Sequence, residues 1–330
     1  MKQTSPITVK DLAKICGVSI GTVDRAINNR KGINAETRDR ILKAAEEYGF
    51  VKNQNALTLS SGKSRNIGVI IFNLKSEYFT SLLTAVESEA RARGYATVIM
   101  MSNYDADTEI ECARRMLSMN VAGIIVFSVL SEASFYTDLV KNGTPIVAVG
   151  NRIISKGTEK IPYAGIDDFC AMKASCEYVI SKGYRRLVYI APLLEKAEKQ
   201  NIHAQTARMK GFLEAVTDAG DIHYRIISNY EAYEEYFAKL EEEPDGTALI
   251  CPSDMYTLRC LTACGVTNQK KSRFGIMGFD RFPMFDALLP RLSGVAYSTQ
   301  DIGRCATQLI FEPAKGDTII PFEIVKGETI

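Results

Sequence analysis

Apolar residues follow two rhythms along this chain. Over the first fifty positions they recur every three to four residues: Val9, Leu12, Ala13 and Cys16 make one stripe, Thr22, Val23, Ala26 and Ile27 a second, and Ile41, Leu42, Ala45 and Tyr48 a third. That spacing predicts three short helices closing on a shared core. Thr8, Ser19 and Asn34 stand just ahead of the three stripes, where a side-chain oxygen can accept from an otherwise unpaired backbone N–H. Gly17 supplies a sharp turn, Val18 packs inward, and Gly49 ends the third helix.

From Asn66 the rhythm changes to short, continuous apolar runs alternating with amphipathic stretches. Ile67–Phe72, Ala96–Met101, Ala122–Phe127 and Pro145–Val149 read as buried strands, with helices over Tyr78–Arg93, Thr108–Ser118 and Phe135–Lys141 between them. The cycle restarts with helix Cys170–Lys182, strand Arg186–Ile190, helix Gln205–Ala219, strand His223–Ser228 and helix Ala232–Glu241. Strand Ala248–Cys251, helix Met255–Cys264 and strand Phe274–Gly278 follow. The fold class is therefore α/β: a three-helix N-terminal domain followed by two doubly wound lobes of mostly parallel sheet. The boundaries predicted are 1–50 for the helical domain, 51–65 for a polar linker, and 66–330 for the body. Its first lobe takes about 66–166 and 296–311, its second about 167–295 and 312–330. In such sheets ligands bind beyond the carboxyl ends of strands, and two facing lobes make a cleft.

The first two helices meet at Gly17 as a helix-turn-helix, with the second helix placed to read a DNA groove. Charge agrees. Residues 1–65 hold 12 Lys and Arg against 6 Asp and Glu, while the remainder holds 28 against 33. A basic head on an acidic body suits a head that neutralises phosphates. In the linker, Asn55–Ser60 has the pattern of one or two helical turns, too short to be stable alone and so suited to ordering on a partner.

Composition narrows the function classes. The chain has 330 residues, 46% hydrophobic and 24% charged, without the roughly 20-residue apolar run a membrane span needs or an export signal, so a cytoplasmic protein is expected. Its eight cysteines lack CxxC spacing and read as reduced, buried small side chains. With two histidines, His203 and His223, no zinc constellation or nucleophile–base pair assembles. Neither GxxxxGK[ST] nor GxGxxG follows a strand. The neighbours Asp167 and Asp168 read as capping or solvated residues. No catalytic residue, metal site or cofactor is predicted.

Thr8-Val-Lys-Asp-Leu-Ala13, Gly17-Val-Ser19, Thr22-Val23, Arg25, Asn28, Thr37-Arg38 and Tyr48-Gly-Phe50 together resemble the head of the LacI/GalR family of transcription regulators. Ile67-Gly-Val69, Tyr78-Phe79, Arg208-Met-Lys-Gly-Phe212 and Gly278-Phe-Asp280 extend the resemblance through the body. It implies a body similar to periplasmic sugar-binding proteins and a homodimer on a pseudo-palindromic DNA operator. It implies base reading by Ile20, Gly21 and Arg25, the last with a fork suited to guanine. Backbone contacts fall to Thr8, Ser19, Thr22, Asn28, Asn34 and Thr37, and a minor-groove wedge to Ala56 and Leu59 of the hinge. Ligand contacts fall to Tyr78, Phe79, Asn151, Arg208, Tyr230, Ser253, Asp280 and Tyr297.

Several positions depart from the family pattern. Asp24 replaces a serine and puts a carboxylate near the DNA backbone, where it weakens phosphate contact unless Arg25 or Arg30 pairs with it. Gly21 removes a reading side chain, and Lys52 and Leu57 replace the hinge proline and arginine. Gly150-Asn151-Arg152 stands where an Asp-Arg pair is common, and Tyr297 where a glutamine is common, so the ligand's polar pattern differs from that of the best-known members. The expected function is a repressor whose operator affinity is set by a sugar or sugar derivative, through a dimer surface around Leu82, Leu83 and Val86. A nucleobase sensor, or an enzyme carrying a DNA-binding head, are the alternatives.

Overall fold

The structure, a computed structural model, describes residues 7–51, 64–155, 160–266, 272–280, 282, 285, 287 and 290–330. The chain divides into two compact units, a head and a body.

In the head, α1 (Val9–Ile15), α2 (Ile20–Ile27) and α3 (Ala35–Glu47) follow the predicted stripes. Thr8 and Asp11 form a reciprocal capping box, Ser19 accepts from the Thr22 amide, and Asn34 accepts from the Thr37 amide. Gly17 takes φ +60°, the left-handed conformation the turn requires. Leu12, Ala13, Cys16, Val23, Ala26 and Ile41 form the core, with Val18, Ile33, Ala45 and Phe50 against it. Leu42 and Tyr48, expected inside, are exposed. Ile33 and Phe50, flanking α3, close the core instead, because the buried face of a short helix is narrower than its apolar stripe.

The body contains two six-stranded sheets. The first holds β1 (Asn66–Ile71), β2 (Ala96–Met101), β3 (Ile124–Val126), β4 (Ile146–Val149), β5 (Tyr163–Gly165) and β11 (Thr318–Ile319), in the order β11-β5-β4-β3-β1-β2. The second holds β6 (Arg186–Ile190), β7 (His223–Ile227), β8 (Thr247–Ile250), β9 (Gly275–Gly278), β10 (Ser293–Tyr297) and β12 (Phe322–Val325), in the order β12-β10-β9-β8-β6-β7. All pairings are parallel except β10 with β12. Both faces of each sheet are covered, as the unbroken apolar strands require. On β1, Ile67, Val69 and Ile71 point to one cluster and Ile70 to another; on β6, Leu187 and Tyr189 part from Val188 and Ile190 in the same way.

The helices are α4 (Glu77–Ala92), α5 (Ala106–Ser118), α6 (Ser134–Lys141), α7 (Asp168–Ser181), α8 (His203–Ala219), α9 (Tyr230–Ala238), α10 (Asp254–Ala263) and α11 (Thr299–Phe311). The chain passes between lobes three times: after β5, after β10, and between β11 and β12. The last crossing departs from the predicted boundary, since Thr318–Ile319 pairs with β5 in the first lobe although 312–330 was assigned to the second. A two-residue edge strand offers too little pattern to reveal which sheet it joins.

Leu82, Leu83 and Val86 are buried within the body, where α4 packs on α11, and so do not form a dimer surface. They are the inward stripe of an amphipathic helix. The neighbouring edge strand β2 instead exposes Ile99 and Met101.

Candidate functional site

On the head, Ile20, Gly21 and Arg25 share the exposed face of α2. Ile20 is half exposed, unusual for isoleucine on a helix of an otherwise packed domain. Arg30 lies 3.1 Å from Asp24, and Asn28 donates to Asp24 over 2.6 Å. Arg30, rather than Arg25, thus offsets the carboxylate. Thr8, Ser19 and Asn34, expected at DNA phosphates, use their side chains as caps, while Thr22 shares a hydrogen bond with Ser19 and Thr37 is capped by Asn34. Ala56 and Leu59, together with Lys52 and Leu57, lie outside the described residues.

In the body, loops at the carboxyl ends of both sheets enclose a cavity of about 400 Å³. Tyr78, Phe79, Asn151, Arg208, Tyr230, Ser253 and Asp280 line it, seven of the eight residues assigned to the ligand; Tyr297 does not, and stands behind Asp280, to which its hydroxyl donates. Tyr78 and Phe79 open α4 directly after the first strand and meet Phe127 edge to face, so the cavity floor is an aromatic cluster.

Arg208, on the second turn of α8, is buried. Its Nε donates to Asp168 Oδ1 at 2.8 Å, its Nη1 reaches the Pro252 carbonyl and, at 3.5 Å, Asp280 Oδ2, and its plane lies 3.8 Å over the Phe279 ring. Arg208 and Asp280, expected to face the ligand as a complementary pair, turn first to each other and to Asp168. Of the neighbours Asp167 and Asp168, the first caps α7 and the second is this buried partner. Burial pushes the Asp168 carboxyl up to about 6 despite the guanidinium beside it. Asp280 holds φ +58°, a strained conformation for a residue with a side chain, fixed here by Tyr297 and Arg208.

Asn151 is also committed. Its Nδ2 donates to the carbonyls of Ser128 (3.2 Å) and Asn201 (2.8 Å), and its Oδ1 accepts from the Ala204 amide. It therefore ties the first lobe to the start of α8 in the second. Asn201 returns a bond to the Arg152 carbonyl, Gln200 donates to the Tyr104 carbonyl, and Ser76 donates to Asp254 Oδ2 at 2.6 Å, all across the lobes. Behind Ser128, the fully buried Glu109 accepts from Ser128, the Val129 amide and Tyr136. Those three bonds fix the loop on which Asn151 hangs, although burial still raises the Glu109 carboxyl.

Residues the sequence did not single out complete the lining: Ser76, Tyr104, Lys196, Asn201, Gln205 and Asp254 among them. Asp254 was legible in principle, since it follows Ser253 at a strand end. Tyr104 was not, because it reaches the cavity through consecutive left-handed residues, Asn103 and Tyr104.

A helix-turn-helix head carried with a two-lobed α/β body and a cleft defines the class: a DNA-binding regulator with a ligand-binding module. Residues 8–53 match the bacterial regulatory proteins of the lacI family, and residues 64–319 match the periplasmic binding proteins and sugar binding domain of the LacI family. The chain belongs to the LacI family of transcriptional regulators. Among its relatives is the HTH-type transcriptional regulator GntR of Escherichia coli K12, 25% identical over 336 residues, covering 100% of this chain and 98% of the relative. The Lac repressor dimer bound to operator and the anti-inducer ONPF superposes with a TM-score of 0.81 at 19% identity, over 98% of this chain and 99% of that one. The CelR–cellobiose complex does so with 0.65 at 20% identity, over 98% and 99%. No helix among the described residues is long and apolar enough to cross a membrane.

Proposed function

We propose that this regulator is a repressor whose affinity for a pseudo-palindromic operator is set by a sugar or sugar derivative held in the body cavity. The observation that carries the reading is the cavity's mixed lining. An aromatic floor of Tyr78, Phe79 and Phe127 offers a face for the C–H side of a pyranose, and Asp254, Gln205, Ser253 and Arg208 offer hydrogen bonds to its hydroxyls. The interlobe bonds of Asn151, Asn201 and Ser76 depend on the lobes being closed, so a ligand bridging the lobes biases the same equilibrium. A coupling of about 1–3 kcal/mol, roughly 5–150-fold in operator affinity, is typical of such linkage.

In the head, Ile20, Gly21 and Arg25 read bases, and Thr8, Ser19, Thr22, Asn28, Asn34 and Thr37 hold the backbone through amides and hydroxyls that caps have already oriented. Ala56 and Leu59 supply the hinge wedge. Two copies pair, with the exposed Ile99 and Met101 of β2 as a contact. The family is one of regulators, and no group of three or more His, Cys, Asp or Glu among the described residues is placed to hold a metal ion.

Selection of random duplexes by the purified full chain, with the enriched site retested against a sugar panel at fixed salt, tests the proposal. A pseudo-palindrome released by one sugar supports it. Enrichment insensitive to every sugar removes the sugar, and failure to enrich any site removes the operator.

A further inference from the structure

Charge around the cavity is unevenly matched. Asp168, Asp254 and Asp280 are each more than nine-tenths buried, and the buried guanidinium facing them, that of Arg208, is shared between Asp168 and Asp280. Asp254 forms no ion pair among the described residues; its oxygens accept from the Ser76 hydroxyl and the Met255 amide. Lys196, half-buried on the lining, forms none either and lies beyond ion-pair distance of Asp254. A buried carboxylate without a cation is costly, and burial together with the charge of Asp280 pushes Asp254 up to about 6, leaving it mostly ionised at neutral pH.

Two further observations point the same way. Gln205 Oε1, on the lining, is a buried acceptor without a partner among the described residues, so with Asp254 the cavity has acceptors to spare. Tyr104, Tyr230 and Tyr256 line the cavity with Asp254, and the Asp254 charge acts on Tyr104. None of the three rings carries a protein cation among the described residues. Tyr104 stacks one face on Phe72, and a buried carboxylate in a cavity that tyrosines also line is a setting that attracts an ammonium group.

We infer that the effector presents a protonated amine to Asp254, in the cavity that Tyr104 and Tyr230 also line, and is an amino sugar or comparably aminated polyol rather than a neutral one. The inference rests on the reading of the cavity as a sugar site. An ammonium group supplies the missing charge and three donors where acceptors are in excess. A phosphorylated or carboxylated sugar would instead meet the carboxylates of Asp254 and Asp280, with Lys196 as the cation on the lining outside an ion pair among the described residues.

The test is calorimetric titration of the full chain with matched pairs: glucose and glucosamine, galactose and galactosamine, mannose and mannosamine, with N-acetylglucosamine as an uncharged control. One amine should bind at least about tenfold more tightly than its hydroxyl partner, and N-acetylation should abolish the advantage. In Asp254→Asn, which keeps an acceptor for Ser76, the ratio of affinities within each pair should shrink to about twofold, whatever the substitution does to binding of the neutral member. A neutral sugar bound as well as its amine in every pair overturns the inference and leaves the sugar reading standing. Silence toward the whole panel overturns both. The comparison within each pair uses the unaltered protein, so it decides even if the variant fails to fold.

Discussion

Arg208 Nε lies 2.8 Å from Asp168 Oδ1 while its Nη1 lies 3.5 Å from Asp280 Oδ2, so one guanidinium holds carboxylates from residues 40 and 72 positions away. All three groups are buried. Arg208 is thus a structural clamp of the second lobe as much as a cavity wall, and its loss strands two buried acids.

Arg208→Ala should therefore lower stability by about 3–5 kcal/mol, the usual cost of removing one partner from a buried ion pair. Adding Asp168→Asn should return part of the loss. Denaturant unfolding of the two variants measures this. Wild-type stability in Arg208→Ala would show that the clamp contributes nothing, and that weakened ligand binding in that variant comes from lost contact alone.

Asp254 gives a pH dependence of unusual sign. Its folded-state value of about 6 lies above the ordinary 3.8, so the folded chain binds more protons than the unfolded one between those values. Its contribution is favourable below 3.8 and is lost as pH rises through about 6, and Asp168 acts in the same direction. Asp254→Asn should accordingly raise the melting temperature at pH 7.5 and make little difference near pH 4. An unchanged difference across that range would mean the carboxyl titrates as it does in water.

Much of this organisation can be read from residue order, because each lobe repeats strand and helix and buried parallel strands are continuous apolar runs. Ala96–Met101 and Arg186–Ile190 begin and end where their patterns do. The strands β5, β10, β11 and β12 and the helix α11 lie outside the predicted elements; β5, β11 and β12 are two to four residues long and owe their place to sheet pairing more than to local pattern. In the cavity, side-chain identity was legible but partnership was not. That Asn151 ties the lobes together, and that Asp168 rather than solvent holds Arg208, depends on contacts 40 or more positions apart.

Gly211 shows a motif residue with a packing cause. A Cβ there would sit 2.3 Å from the Phe169 carbonyl and 3.0 Å from the Lys173 amide, where α8 crosses α7. Backbone cannot yield as a flexible side chain would. Gly211→Ala should force the helices apart, destabilising the body by about 1–3 kcal/mol. Because Gln205 and Arg208 ride on the same helix, effector affinity should fall as well. Calorimetric melting with ligand titration reads both effects, and a variant as stable as the wild type would mean that α7 and α8 separate freely.

The head offers a separation of roles between two arginines. Arg25 is exposed beside Ile20 and Gly21, whereas Arg30 is engaged with Asp24 in a pair whose side chains remain 66% and 43% exposed, a contact worth little to folding. Arg25→Ala should cost about 1–3 kcal/mol of binding to the selected operator and almost nothing on random duplex. Asp24→Ser removes a charge that repels phosphate and releases Arg30 toward the backbone. It should tighten operator and random duplex alike, and steepen the dependence of log affinity on log salt by about one unit. Anisotropy titrations of both variants over a salt series separate the two outcomes. If Asp24→Ser instead weakens binding at every salt concentration, the Asp24–Arg30 pair orients α2 for reading, and the carboxylate serves the interface it was expected to oppose.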